Sequence, residues 1–148
     1  MPRTRRSRTM QACAPDIWRI VGDPHHLPRW WPKIARVEGV DADGFTQVFQ
    51  TSKGRRLRVD YRILDHEEGQ RARWGQMIQD TPFERFLRSA ETEVRLDDAA
   101  TAGTTVTITV DQRPRGFSRL GGFLLRGGAR KQLDEALSGL AELVEARR

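Results

Sequence analysis

The feature that most constrains the fold is a change of hydrophobic period. From Phe45 to Gln112 apolar residues recur at every second position, and beyond Phe117 they recur at steps of three and four. Alternation puts one set of side chains in a core and the other in water, which is the pattern of half-buried antiparallel strands. Arg56–Leu64 is the clearest case, with Leu57, Val59, Tyr61 and Ile63 set against Arg56, Arg58, Asp60 and Arg62. Short turns separate the runs: Asp41-Ala42-Asp43-Gly44, Ser52-Lys53-Gly54, Glu67-Glu68-Gly69 and Asp80-Thr81-Pro82. The runs bounded by them, Glu38–Val40, Phe45–Thr51, Arg56–Leu64, Arg71–Ile78, Glu84–Leu96 and Thr104–Gln112, read as six strands of one meander within residues 36–112.

Helical signals flank the meander. Ala14-Pro15-Asp16 opens a first short helix over residues 14–22, since proline suits a first turn and an acid complements its positive end. Asp23-Pro24 opens a second over residues 24–31, carrying Leu27, Trp30 and Trp31 and stopped by Pro32. Leu133, Ala136, Leu137, Leu140 and Val144 mark the apolar stripe of a long helix over residues 117–146. The glycine pairs Gly121-Gly122 and Gly127-Gly128 lie within it, each glycine costing about 1 kcal/mol relative to alanine. They point to a break or kink in the helix, or to room for something against it. The sum is an α+β domain over residues 1–148. A strand over residues 4–11 is the basic edge of its sheet, where arginines discourage wrong pairing.

One helix about 10 Å across cannot cover the apolar face of six strands. The gap has to be filled by the short helices, by large side chains or by a ligand.

The net charge of +6 looks like a nucleic-acid signal, but its distribution argues otherwise. Arg3, Arg5, Arg6 and Arg8 precede the first acid, Arg147 and Arg148 end the chain, and residues 9–146 are formally neutral. A DNA or RNA partner expects a basic face on the folded body, so none is expected here. No apolar run is long enough to span a membrane, and no secretory leader is evident. A single cysteine, Cys13, excludes an internal disulfide framework and a cysteine metal cluster, and points to the cytoplasm.

Three stretches are familiar. They are Ala14-Pro15-Asp16-Ile17-Trp18, then Gly22-Asp23-Pro24 through Leu27-Pro28-Arg29-Trp30-Trp31-Pro32, then Val37-Glu38-Gly39-Val40. Together they resemble the polyketide cyclase/dehydrase branch of the START-like, SRPBCC (Bet v 1-like) superfamily. The order of later strands and the terminal helix matches too, so the resemblance spans nearly the whole chain. It implies the helix-grip fold, a curved antiparallel sheet of about 6–7 strands around a long C-terminal helix, with two short helices after strand 1 and a deep apolar pocket. Members include lipid carriers, receptors, ring cyclases and co-chaperones, so the resemblance implies the fold more sharply than the activity.

The inward phase of each strand names the candidate pocket. Phe45, Gln47 and Phe49 share a face, as do Val59 and Tyr61, then Trp74 and Gln76, then Phe86 and Arg88. Phe117, Leu120 and Leu124 would face them from the last helix. Gln47, Tyr61, Gln76 and Arg88 are polar groups on a mostly apolar surface, the usual make-up of a small-molecule site. Arg88 either meets a ligand carboxylate or enolate, or is turned away by a bulge or paired with an internal acid, and the second is the commoner outcome. Trp30 and Trp31 fall where the resemblance places the pocket mouth; a packed cap is the commoner role, direct stacking the other. Trp18 reads as core.

Catalytic signatures are absent. His25 and His26 are adjacent and diverge by about 100° on a helix, so they do not chelate together. His66 sits in an Asp65-His66-Glu67-Glu68 turn and reads as too exposed for general-base work. Cys13 has no evident base beside it. No metal site, no cofactor motif and no Ser-His-Asp order is present. The expected activity is binding of a hydrophobic, lipid- or polyketide-like small molecule between sheet and C-terminal helix. A polyketide cyclase, aromatase or dehydrase is the alternative, since such chemistry needs orientation more than a strong base. A co-chaperone-like interaction module is the third reading.

Overall fold

The alternating runs form one seven-stranded antiparallel sheet in the order β1-β7-β6-β5-β4-β3-β2. The structure is a computed structural model. It describes residues 3–50, 54–79, 81, 84, 87–99, 103–114 and 119–145, with side chains up to 113 and from 129. Phe86 and Phe117 lie outside the described residues, and Leu120 and Leu124 are described by backbone alone.

The strands are β1 (Arg3–Met10), β2 (Ile34–Glu38), β3 (Gly44–Gln50), β4 (Arg56–Glu67), β5 (Arg71–Gln76), β6 (Leu87–Ala99) and β7 (Gly103–Pro114). The helices are α1 (Ala14–Val21), α2 (Leu27–Trp30) and α3 (Arg119–Glu145), with a 3-10 turn at Pro24–His26 leading into α2. This is the α+β helix-grip architecture, with two short helical segments after β1 and a long helix last.

Pairing fixes the faces. Ile63 opposes Trp74, Trp74 opposes Thr92, and Thr92 opposes Val110, so these four share the core side. Arg62, Gly75, Glu91 and Asp111 form the adjacent row on the outer side. The core face packs on the stripe Leu133, Ala136, Leu137, Leu140, Ala141 and Val144 of α3 and on Ile17, Trp18, Ile20 and Val21 of α1.

The second strand and the last helix differ from the sequence expectation for physical reasons, and β4 runs on through the expected turn at Asp65-His66 to Glu67. The strand expected at Glu38–Val40 runs instead over Ile34–Glu38. A register shift between Ile34 and Arg36 breaks its alternation, and Gly39, at φ 59°, turns the chain out of the strand. The helix α3 is continuous through both glycine pairs, so the expected break does not occur.

The basic edge strand is tied down by its neighbours. The Arg6 guanidinium donates to both carboxylate oxygens of Asp134 on α3, at 2.8 and 3.2 Å. Arg3 reaches Asp111 at 3.4 Å, and Ser7 and Thr9 bond the Thr107 and Thr105 hydroxyls at 2.9 Å. Part of the surplus charge is thus neutralised within the fold. Two segments meet backbone to backbone at Gly139 of α3, where a Cβ would stand 2.7 Å from the Trp30 carbonyl oxygen.

Candidate functional site

A cavity of about 350 Å³ opens between the sheet and the lip formed by the end of α1, the Pro24 turn and the start of α2. Its size is at the small end of the range for ligand pockets. The floor is Phe45 of β3, Ile63 of β4, and Ala72 and Trp74 of β5, all inward by register. Val21 and Leu27 close it from the helical side. Asp41, Asp65, His66 and Arg73 make a polar rim. The alternation of β4 and β5 builds the apolar floor, and the turn Asp41–Asp43 brings the first acid over its edge. Asp41 itself holds that turn, accepting the N–H groups of Asp43 and Gly44 at 2.8 and 3.0 Å.

The lip is capped at Asp23. Its carboxylate accepts the backbone N–H of His25 at 3.0 Å and contacts His25 Nδ1 at 2.8 Å. Burial alone would raise the Asp23 pKa, but the backbone and side-chain hydrogen bonds from His25, with the nearby imidazoles, hold it below the ordinary carboxylate value.

An aromatic wall backs the floor. Phe45 stacks on Tyr61 at 5.5 Å between ring centroids and meets Trp74 edge-on at 6.1 Å. Trp74 meets Trp31 at 6.3 Å, and Trp31 meets Trp30 at 5.3 Å, both edge-on. Edge-to-face contacts in this range add roughly 0.5–1.5 kcal/mol each beyond burial. Burial also pushes the Tyr61 phenol well above its ordinary pKa, so it remains a neutral O–H donor. The Trp30 indole N–H is buried without a hydrogen-bond partner among the described residues.

The structure separates the sequence candidates into three groups. Phe45 and Trp74 line the cavity. Val59 and Tyr61 continue the same sheet face, with Gln47 at 3% exposure and Phe49 partly buried beside the core. Trp30 and Trp31 are buried in the aromatic wall, which is the packed role and not a rim position. Gln76 pairs opposite Tyr61, on the core side by register, and is half-buried where β5 ends; it also borders a different, outward groove, as does Arg88, which is exposed. A register shift between Leu87 and Ser89 displaces it from the inward phase.

His66 is exposed, as the sequence reading expected, but it is part of a strand and not of a turn. It lies in β4, and the register shift between Ile63 and Asp65 sets it opposite Ala72 on the core side. Its ring packs on Trp18 at 5.1 Å, and Nε2 lies 3.3 Å from the Gly22 carbonyl, which accepts the proton of the Nε2–H tautomer. Asp65 accepts from the Arg71 guanidinium and from the His66 backbone N–H. No alternation pattern reveals a bulge, so no sequence signal placed His66 here. Among the described residues no cluster of His, Cys, Asp and Glu is arranged to hold a metal, and no described helix is long and apolar enough to cross a membrane.

The cavity lies nearer the two short helices than the position expected between sheet and C-terminal helix. No described α3 side chain lines it, because that half of α3 packs directly on β1, β7 and α2.

A curved antiparallel sheet, a long closing helix and an apolar cavity with a polar rim define a helix-grip protein with a hydrophobic-ligand cavity. The profile of the family described as polyketide cyclase / dehydrase and lipid transport matches residues 1–145, and the chain belongs to that family. No curated protein matches it significantly. Among solved structures, TTHA0849 from Thermus thermophilus is 19% identical at a TM-score of 0.77, covering 99% of each chain. A START superfamily protein from Mycobacterium smegmatis is 15% identical at 0.76, with 99% of each chain covered. The di-domain ARO/CYC StfQ of the steffimycin biosynthetic pathway is 12% identical at 0.80, covering 99% of this chain and 51% of that one. These likenesses establish the fold.

Proposed function

We propose that the protein binds a hydrophobic, lipid- or polyketide-like small molecule in the cavity under the α1–α2 lip. One observation carries the reading: about 350 Å³ walled by Phe45, Ile63, Trp74, Val21 and Leu27 with polar groups confined to the rim. That arrangement buries an apolar body and leaves a polar end at Asp65, His66 and Arg73. The test compares native and denaturing mass spectra of gently purified protein, then titrates the neutral fluorophore N-phenylnaphthylamine. Saturable fluorescence enhancement that Ala72→Phe abolishes supports the reading. Enhancement that is equal in Ala72→Phe overturns it.

His66 on the rim favours one second reading, a cyclase, aromatase or dehydrase acting on a polyketide-like chain. Such an enzyme moves protons on a substrate shaped by the pocket, and imidazole is suited to the task near neutral pH. StfQ carries the ARO/CYC designation, and the family description includes cyclases and dehydrases. Turnover of a poly-β-keto substrate that falls by about 10²-fold or more in His66→Gln, with binding retained, supports it. Binding without turnover in the unaltered protein leaves the carrier role.

A further inference from the structure

We propose that the outer face of the sheet carries a second binding site, a groove that takes a free amphipathic carboxylate, a short alkyl chain with an anionic head. The groove encloses about 360 Å³ where β5 ends beside the start of β6. It does not belong to the cavity described above. The row Arg62–Gly75–Glu91 runs across the outer face, opposite in phase to Tyr61, Ile63 and Trp74.

Two irregularities of pairing shape this groove. Leu64, at the shift between Ile63 and Asp65, stays on the outer side with Arg62, and the shift between Leu87 and Ser89 turns Arg88 out of the inward phase. Bulges re-aim single side chains at the cost of ladder hydrogen bonds, and Leu64 and Arg88, one at each shift, line the same groove. Gly75 leaves a notch in which Leu64 Cδ1 stands 3.0 Å from the place a Cβ would occupy. Leu64 is 38% exposed and Met77 is 46% exposed, two of the three large apolar side chains open to water among the described residues.

The charge at the groove selects the ligand. Arg62 and Arg88 are exposed, and neither has a hydrogen-bond or ion-pair partner among the described residues. Glu91 is the single acid among the described lining residues, which are together net positive. Two neighbouring outer-face arginines are neutralised, Arg58 by Glu38 at 3.3 Å and Arg71 by Asp65. An arginine fork binds a carboxylate through two parallel N–H donors. An apolar strip beside two unpaired forks therefore fits an alkyl chain that ends in a carboxylate. The groove is too small for the face of a folded partner, whose standard interfaces bury about 800 Å² a side.

The chain supplies its own reporter. Its methionines are Met1, Met10 and Met77; Met10 is fully buried in the core and Met77 lines the groove. Protein labelled at the methionine methyl groups is titrated with decanoate below its micelle concentration and, separately, with decyltrimethylammonium. The expected result is a saturable shift of the Met77 methyl resonance with decanoate and none with the cation. Arg62→Gln with Arg88→Gln weakens the decanoate response at least about tenfold, the size of a lost charge-assisted hydrogen bond. Arg95→Gln, an exposed arginine of the same face away from the groove, leaves it unchanged. A silent Met77, an equal response to the cation, or an unaltered response in the double variant overturns the proposal. A response at Met10 alone places decanoate inside the core, away from the groove, and also overturns it. Sedimentation with phosphatidylglycerol vesicles that needs both arginines, without a saturable decanoate response, replaces the free carboxylate by a membrane surface.

Discussion

Tyr61 is the one tyrosine of the chain, which makes its environment directly measurable. Its ring stacks on Phe45 and its phenol is held neutral by burial. Absorbance titration of the folded protein is expected to show no tyrosinate at pH 10–11, where a free phenol is half ionised or more. The unfolded chain releases that proton at its ordinary value while the folded chain keeps it. Stability therefore falls as pH rises above about 10, by about 1.4 kcal/mol per pH unit from this group, until the folded value is reached. Ionisation with an ordinary midpoint in the folded protein contradicts the packing described. Trp74 is the second residue with a decisive test, since it touches Trp31, Phe45 and the cavity at once. Trp74→Ala is expected to cost about 3–5 kcal/mol in urea unfolding and to abolish N-phenylnaphthylamine binding. The residue scale is also where the sequence was least legible. Phase counting set Phe45 and Trp74 on the inward face, where they line the cavity, because no irregularity precedes them on their strands. It could not place Arg88, which sits in the bulge between Leu87 and Ser89, the outcome weighed above as the commoner, or see that His66 belongs to β4 and not to a turn, just beyond the shift between Ile63 and Asp65. Bulges are set by tertiary packing, and the alternation on either side looks the same with or without them.

Among the elements, the α1–α2 lip and the α2–α3 contact control the cavity. The lip depends on the Asp23 cap, whose loss by Asp23→Ala is expected to cost about 1 kcal/mol and to weaken fluorophore binding. The Asp23 carboxylate is depressed, so its contribution is complete above the ordinary value of about 4 and is lost as pH falls through the folded value. Stability of Asp23→Ala and of the unaltered protein should converge in that acidic window. The α2–α3 contact depends on Gly139. Alanine there would gain about 1 kcal/mol of helix propensity. The added Cβ would stand 2.7 Å from the Trp30 carbonyl oxygen, a backbone atom that cannot rotate away. Overpacking of this kind costs about 1–3 kcal/mol, so Gly139→Ala is expected to lower the urea midpoint. The elements themselves were legible because period and punctuation agreed: Pro15 and Asp16 begin α1, Gly22 caps it, and the stripe from Leu133 to Val144 buries as the steps of three and four require. The Gly139–Trp30 approach was not legible, since an isolated glycine in a helical pattern carries no record of what lies opposite.

For the molecule as a whole, the cavity and the fold share one free energy. A ligand that binds only the native state stabilises it by about 2.7 kcal/mol at a hundredfold excess over its Kd. For a chain of this length 1 kcal/mol corresponds to about 2–4 °C in Tm, so a saturating apolar ligand is expected to raise Tm by about 5–10 °C. The cavity exists because seven strands present more apolar face than α3 can cover, while the α1–α2 lip covers the remainder incompletely. Ala72 lies on its floor at 4% exposure, and a phenyl ring placed there occupies the space the ligand would take. Ala72→Phe is therefore expected to lose the N-phenylnaphthylamine-induced rise in Tm while keeping a cooperative transition. The Arg62→Gln/Arg88→Gln variant, altered only on the opposite face, keeps the rise in full. A rise that survives Ala72→Phe and disappears in the arginine variant would assign the fluorophore to the outer groove and leave the cavity empty of function. Thermal scans of the three proteins, each with and without the same fluorophore, decide between the two sites.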